Sequence, residues 1–142
     1  MSARELRLYS LLQRTAHRLK IEADSAMTHA GGLTTAQAAT MAIIASEGPV
    51  PQRLIAEALS QRESAITAMA ARLLKAGYIK KTRSTDDARI WELEATEEGR
   101  EALERMREPF DHINAVLDDS FKGEDMKRLA GALRTLLDKL EN

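Results

Sequence analysis

The stretch "LIAEALSQRESAITAMAARLLKAGYIKKTRSTDDARIWELEAT", residues 54–96, leaves few folds open. Two short helix-forming runs, "PQRLIAEALS" and "SAITAMAARLLKAG", are joined through the tight gap "SQRE". Pro51 falls in the first turn of the first run, where its missing N–H costs nothing, and Gly77 terminates the second. Two strand candidates follow, "YIKKTR" and "RIWELEAT", with a polar tip between them. On the second, Trp91, Leu93 and Ala95 share one face, expected to pack beneath the hairpin, while Glu92 and Glu94 point the other way.

Two helices around a tight turn, followed by a two-stranded ribbon, make a winged helix-turn-helix. The second of the two helices is tested as a reading helix by its wheel. At about 100° per residue, Ile66, Met69, Ala70 and Leu73 cluster and should pack inward. Ser64, Thr67, Ala68, Ala71, Arg72 and Lys75 project from the other side, with no acid and nothing bulky among them. Small side chains let a helix sit deep in a major groove. Ser64 and Thr67 can hydrogen-bond base edges, and Ala68 can touch a thymine methyl. Arg62 stands at the helix start, where recognition helices meet bases or phosphates. The competing reading is an ordinary solvated face on an alanine-rich helix.

The hairpin weighs against that reading. From Arg72 to Arg89 there are six cations (Arg72, Lys75, Lys80, Lys81, Arg83, Arg89) and two acids (Asp86, Asp87), a local excess of +4 in a chain whose formal net charge is −1. Phosphate attraction is local, so the whole-chain charge does not exclude a nucleic-acid surface here.

The remaining segments are helical, in keeping with 30% charged and only 4% aromatic residues. Tyr9, Leu12, Ala16, Leu19, Ala23 and Met27 mark one amphipathic helix from Glu5 to Met27, ended by Gly31 and Gly32 in "HAGGLT". Thr34 or Thr35 caps "TAQAATMAIIASEG", which Gly48 and Pro49 close. After the hairpin, Thr96 can cap a long helix that Pro109 kinks. The last helix, from about Glu124, aligns Met126, Leu129, Leu133, Leu136 and Leu140. The expected fold is therefore mainly α with a small β-hairpin wing, a winged helix-turn-helix flanked by N- and C-terminal helices.

Several function classes drop out. Cysteine is absent, which removes disulfides and thiolate metal sites and suits a reducing cytoplasm. No apolar run approaches the roughly 18 residues of a membrane span, so no membrane partner is expected. His17, His29 and His112 lack metal-ligand spacing, and neither a metal nor a cofactor is expected. No phosphate loop, clustered histidine or paired carboxylate in an apolar setting supports catalysis, so the chain is read as a non-enzyme.

The run from Leu54 to Lys81, followed by "RSTDDARIWELEATEEG", resembles the DNA-binding lobe of the MarR family of bacterial transcription regulators. That family's wing carries an Asp-x-Arg pair, then six residues, then a Thr opening the next helix and a Gly three further on. Asp87, Arg89, Thr96 and Gly99 match it, with one departure, Ala95 where the family usually has Leu. The resemblance implies that Arg89 enters the minor groove and that Asp87 holds its guanidinium in pose. A fork of that kind freezes a flexible side chain before binding. Asp86 is read as a turn residue.

The resemblance further implies a cytoplasmic homodimer on a pseudo-palindromic operator in double-stranded DNA. Residues 34–96 are expected to form the winged-helix lobe, and residues 1–33 and 97–142 a helical dimerisation region. The stripes Tyr9, Leu12, Leu19 and Leu129, Leu133, Leu136, Leu140 would form the dimer contact. Relatives often bind small aromatic anions between the dimer helices and the DNA-binding lobe. Such an effector would meet His17, Met27 and Met41 as lining candidates. The DNA-binding set is Arg62, Ser64, Thr67, Ala68, Arg72, Lys75, Lys81, Arg83, Asp87 and Arg89. The alternative is a winged-helix protein-interaction module, which would need neither Arg89 nor the local charge.

Overall fold

The computed structural model describes residues 1–30 and 32–142, Glu5 by its backbone alone. Gly31, expected to help break the first helix, lies outside the described residues. The first helix, α1 (Ala3–His29), follows the predicted stripe, and the stripe divides along its length. Ala23 and Met27 near its C-terminal end are buried, whereas Tyr9 and Leu12 are exposed and Leu19 is half-buried.

Helix α2 (Thr35–Glu47) starts at Thr34, whose hydroxyl accepts from the Gln37 N–H while the Gln37 side chain accepts from the Thr34 N–H. This reciprocal box settles the choice between Thr34 and Thr35. Thr35 has a different partner. Its N–H donates to Asp24 Oδ1 at 2.9 Å and its hydroxyl to the same oxygen, so a carboxylate of α1 closes the N-terminus of α2. Lys20, one turn before Asp24 on α1, pairs with the other carboxylate oxygen at 2.8 Å.

Helices α3 (Gln52–Ala58) and α4 (Glu63–Lys75) pack on each other and on α2. The turn between them passes through Ser60 at φ +50°. Pro51 sits at the N-cap of α3, one position before the helix. Strands β1 (Ile79–Arg83) and β2 (Trp91–Ala95) pair antiparallel, with Ile79 opposite Ala95 and Arg83 opposite Trp91. The far edge of β2 is also occupied, because Val50 exchanges both backbone hydrogen bonds with Leu93, at 3.0 and 2.8 Å. That bridge has no signature in the sequence: one apolar residue between Pro49 and Pro51 shows no periodicity.

The region after the hairpin is two helices, α5 (Glu97–Glu104) and α6 (Arg107–Ser120), where one kinked helix was expected. Proline carries no N–H, so Pro109 cannot bond the carbonyl of Arg105, and the chain breaks at Arg105–Met106. The disruption therefore falls one turn upstream of the proline that causes it. Helix α7 (Glu124–Glu141) closes the chain.

Two compact units result, Met1–Pro109 and Phe110–Asn142. In the first, Met27, Met41, Ile44, Ile55, Leu73, Leu93 and Met106 are enclosed in one core. Helix α5 belongs to this core through Ala102 and packs on α2 and β2, and the first compact unit runs on to Pro109. Its close approach explains two motif residues together. The Thr96 hydroxyl accepts from the Gly99 N–H and donates to the Gly77 carbonyl at 2.6 Å, and a Cβ on Gly99 would lie 2.0 Å from the Tyr78 carbonyl oxygen. The second unit comprises the rest of α6, a turn through Gly123 at φ +56° and α7, in which no residue is buried. Among the described residues no helix is long and apolar enough to cross a membrane.

Candidate nucleic-acid interface

Helix α4 is amphipathic in the sense its wheel predicts. Ile66, Ala70 and Leu73 are buried and Met69 is half-buried, which fixes the rotation of the helix about its axis. The opposite face is thereby turned outward: Ser64, Thr67, Ala68, Ala71, Arg72 and Lys75 are all exposed. Arg62 is the N-cap residue, exposed, and makes no side-chain cap bond. Thr67 is the constrained member of the set. Its hydroxyl lies 2.9 Å from Gln52 Oε1 on α3 and 3.0 Å from the Glu63 carbonyl, so it is tied to the protein. Gln52 thus braces the two helices, a role with no sequence signal because its partner is fifteen residues away across a turn.

The wing is a hairpin whose loop is held from inside. The Ser84 N–H donates to the Ile90 carbonyl and the Ile90 N–H to the Asp87 carbonyl, both at 2.9 Å. The Ser84 hydroxyl accepts from the N–H groups of Asp86 and Asp87 at 3.2 and 3.3 Å. These bonds make Asp86 a turn residue with an exposed side chain.

Asp87 and Arg89 form a complete fork. Asp87 Oδ1 accepts from the Arg89 N–H and Nε, each at 3.0 Å, and Oδ2 from Nη2 at 3.0 Å. The Arg89 side chain holds the Asp87 carboxyl below the usual carboxylate range, helped by the backbone bond, and Asp87 in turn raises the guanidinium. The Arg89 side chain nevertheless remains 90% exposed, while that of Asp87 is 32% exposed. The cation is posed and still presented to solvent.

The other wing cations differ among themselves. Lys81 is exposed, and Lys80 lies 3.8 Å from Glu94. Arg83 lies 4.4 Å over the Trp91 ring, and its Nη1 donates to the Ala88 carbonyl at 2.5 Å. Trp91 therefore does not pack beneath the hairpin; it is 48% exposed. The alternation along β2 assigns Trp91 correctly to the face of Leu93 and Ala95, but the core ends at Leu93, and Arg83 covers the ring instead.

The three candidate effector-lining residues are not brought together on one accessible surface. Met27 and Met41 are fully enclosed in the core, whereas His17 is exposed on α1. Of the expected dimer stripes, Leu19 and Leu129 are half-buried and Tyr9, Leu12, Leu133, Leu136 and Leu140 are exposed. Among the described residues no group of three or more acids and histidines is placed to hold a metal ion.

Residues 33–91 match the model of the MarR family. A mutant MarR from E. coli, solved in complex with operator DNA, is 17% identical with a TM-score of 0.85, over 94% of this chain and 96% of that one. The S. aureus MepR–DNA complex is 20% identical with a TM-score of 0.83, over 92% and 96%. The YusO protein from Bacillus subtilis is 28% identical with a TM-score of 0.62, over 97% and 99%. No curated protein matches. The family match spans α2, α3, α4 and the wing as far as Trp91, the same residues that carry the geometry described above, and it is this lobe that is similar to the MarR family.

Proposed function

We propose that the chain is a DNA-binding transcription regulator that acts as a homodimer on a pseudo-palindromic operator. Helix α4 enters the major groove, and Arg89 enters the adjacent minor groove. The observation that carries this reading is the Asp87–Arg89 fork: an arginine fully engaged by a neighbouring carboxylate yet 90% exposed at a hairpin tip. A protein buried by its own ion pairs would not present that charge outward, and a protein-interaction module has no need of it. The outward face of α4 supports the same reading, since Ser64, Ala68 and Ala71 are small enough to approach base edges while Arg62, Arg72 and Lys75 suit the flanking phosphates. The match of residues 33–91 to the MarR family model, and the DNA complexes of MarR and MepR with which the fold is shared, support it further.

The dimer is proposed through the exposed stripes of α1 and α7, and release by a small aromatic anion follows from the family resemblance. Selection and sequencing of genomic fragments bound by the purified protein tests the function directly. A shared, two-fold symmetric sequence among the bound fragments is expected, and binding without sequence preference would refute it. Titration of the bound complex with salicylate-like anions tests the effector, which is abandoned if a broad panel leaves binding unchanged.

A further inference from the structure

One peptide unit at the wing tip is pinned from both sides. The peptide joining Ala88 to Arg89 is planar, so its carbonyl and its N–H turn together. Its N–H donates to Asp87 Oδ1 at 3.0 Å, and its carbonyl accepts from Arg83 Nη1 at 2.5 Å. With both edges held, the plane cannot rotate, and the direction in which Arg89 leaves the backbone is set before its guanidinium meets the Asp87 carboxylate. Arg83 can do this only if its own long side chain is held. The Trp91 ring, opposite it in the register and 4.4 Å from the guanidinium carbon, supplies the surface.

We propose that Arg83 and Trp91 are positioning residues for the wing arginine: Trp91 seats Arg83, Arg83 fixes the Ala88–Arg89 peptide, and that peptide aims Arg89. This reassigns Arg83, expected from sequence as a DNA contact, to a role inside the wing. It also gives a reason for an exposed tryptophan on a polar hairpin. The proposal rests on the reading of Arg89 as a minor-groove residue.

The two roles of Arg83 predict different salt behaviour. A residue that neutralises a phosphate adds about one to the slope of log affinity against log salt, and removing it lowers the slope by about that amount. A positioning residue changes affinity and leaves the slope. Trp91→Leu is the cleaner probe, since it removes no charge. It is expected to weaken binding to a selected operator fragment by about 2–5-fold, the range of an exposed cation–π contact, with the slope unchanged. Trp91→Phe retains an aromatic face and recovers most of that loss. Arg83→Gln is expected to weaken binding in the wild-type background and to have little further effect once Arg89 is alanine, because nothing is left to aim.

Trp91 is the single tryptophan of the chain, so the seat can also be read without DNA. Its fluorescence in the free protein is expected to shift in Arg83→Gln and to be unaffected in Arg89→Ala. An unshifted spectrum in Arg83→Gln overturns the proposal, as does a Trp91→Leu variant that binds like wild type. An Arg83→Gln effect that lowers the salt slope by about one and persists without Arg89 also overturns it. Failure of the wild-type protein to bind any DNA removes the functional reading instead, and is distinguishable because the fluorescence shift does not depend on DNA.

Discussion

At Asp87 two effects of opposite sign meet. Replacing it by alanine removes a negative charge close to where DNA phosphates would lie, and electrostatics alone then favours tighter binding. The same change releases Arg89 from three hydrogen bonds, so an extended side chain must lose rotamer freedom on entering the groove. Because the fork is complete, pre-organisation is expected to win: Asp87→Ala binds the operator more weakly than wild type, and Arg89→Ala weakens binding by roughly 5–100-fold. The double variant should be little worse than Arg89→Ala, and Asp86→Ala neutral or slightly favourable. Tighter binding by Asp87→Ala in a fluorescence-anisotropy titration would remove the pre-organisation account. The identity of this pair was legible in the sequence through its resemblance to the family's wing motif. The seating of Arg83 on Trp91 was not, because strand alternation gives the face of a residue and not the point along the strand where the core stops.

Glycines show the same contrast between what a pattern reveals and what packing adds. Gly77 ends α4 at φ +79°, with open space where a Cβ would stand, so Gly77→Ala costs only the left-handed conformation, about 1 kcal/mol. Gly99 is inside α5, where alanine would ordinarily be preferred, yet its Cβ would meet the Tyr78 carbonyl at 2.0 Å and Met41 Cε at 2.8 Å. Gly99→Ala must push α5 from the strand it rests on and is expected to cost about 1–3 kcal/mol. Urea unfolding of the two variants checks the order. The sequence identified Gly77 as a helix stop from local chemistry. Gly99 was recognisable only through family resemblance, since its cause is contact with a residue twenty-one positions earlier.

Between elements, the joint of α1 and α2 gives a pH-dependent prediction. Hydrogen bonds from Lys20 and then Thr35 lower the Asp24 carboxyl from its ordinary 3.8 to about 2. The native carboxylate thus stays ionised at a pH where the unfolded chain already takes up a proton. A depressed native pKa stabilises the fold fully above about 3.8, and that contribution is lost as pH falls towards about 2. Asp24→Asn is expected to be less stable than wild type by about 1 kcal/mol at pH 7, after allowance for solvent screening, and the gap should close across that window. Urea midpoints at pH 7, 4 and 2.5 measure it; a gap that stays constant with pH would show that the joint is not electrostatic. Helix α1 was predicted from its stripe, whereas this joint was not, because a lone Asp on a helix resembles any solvated acid until a neighbouring helix start is placed beside it.

For the whole molecule, the unpaired apolar surface is the strongest physical constraint. Tyr9 is 64% exposed in a single chain, Leu137 is 52% and Leu140 is 74%, with further leucines between them on α1 and α7. These residues repeat at helical spacing, so they form stripes rather than scattered contacts, and stripes of that length seek a partner. A dimer is expected at micromolar concentration, with light scattering giving twice the mass of one chain; a monomer would refute the proposed contact. Dimerisation in turn fixes what the DNA must look like. Two copies related by a two-fold axis present two α4 helices and two wings, so half-sites should lie about 10 bp apart or a multiple of it. With about 6–10 phosphates touched, log affinity should fall with log salt at a slope of roughly −5 to −9. Because the outward face of α4 carries few long hydrogen-bonding side chains and Thr67 is tied to Gln52, part of the specificity should reside in groove shape. Substituting Leu133 and Leu136 by glutamate then offers a decisive combination: the wing and α4 remain intact, the dimer is lost, and binding to the full operator should fall towards that of a single half-site. If that variant scatters as a monomer yet binds the full operator as tightly as wild type, the two-fold model of recognition fails.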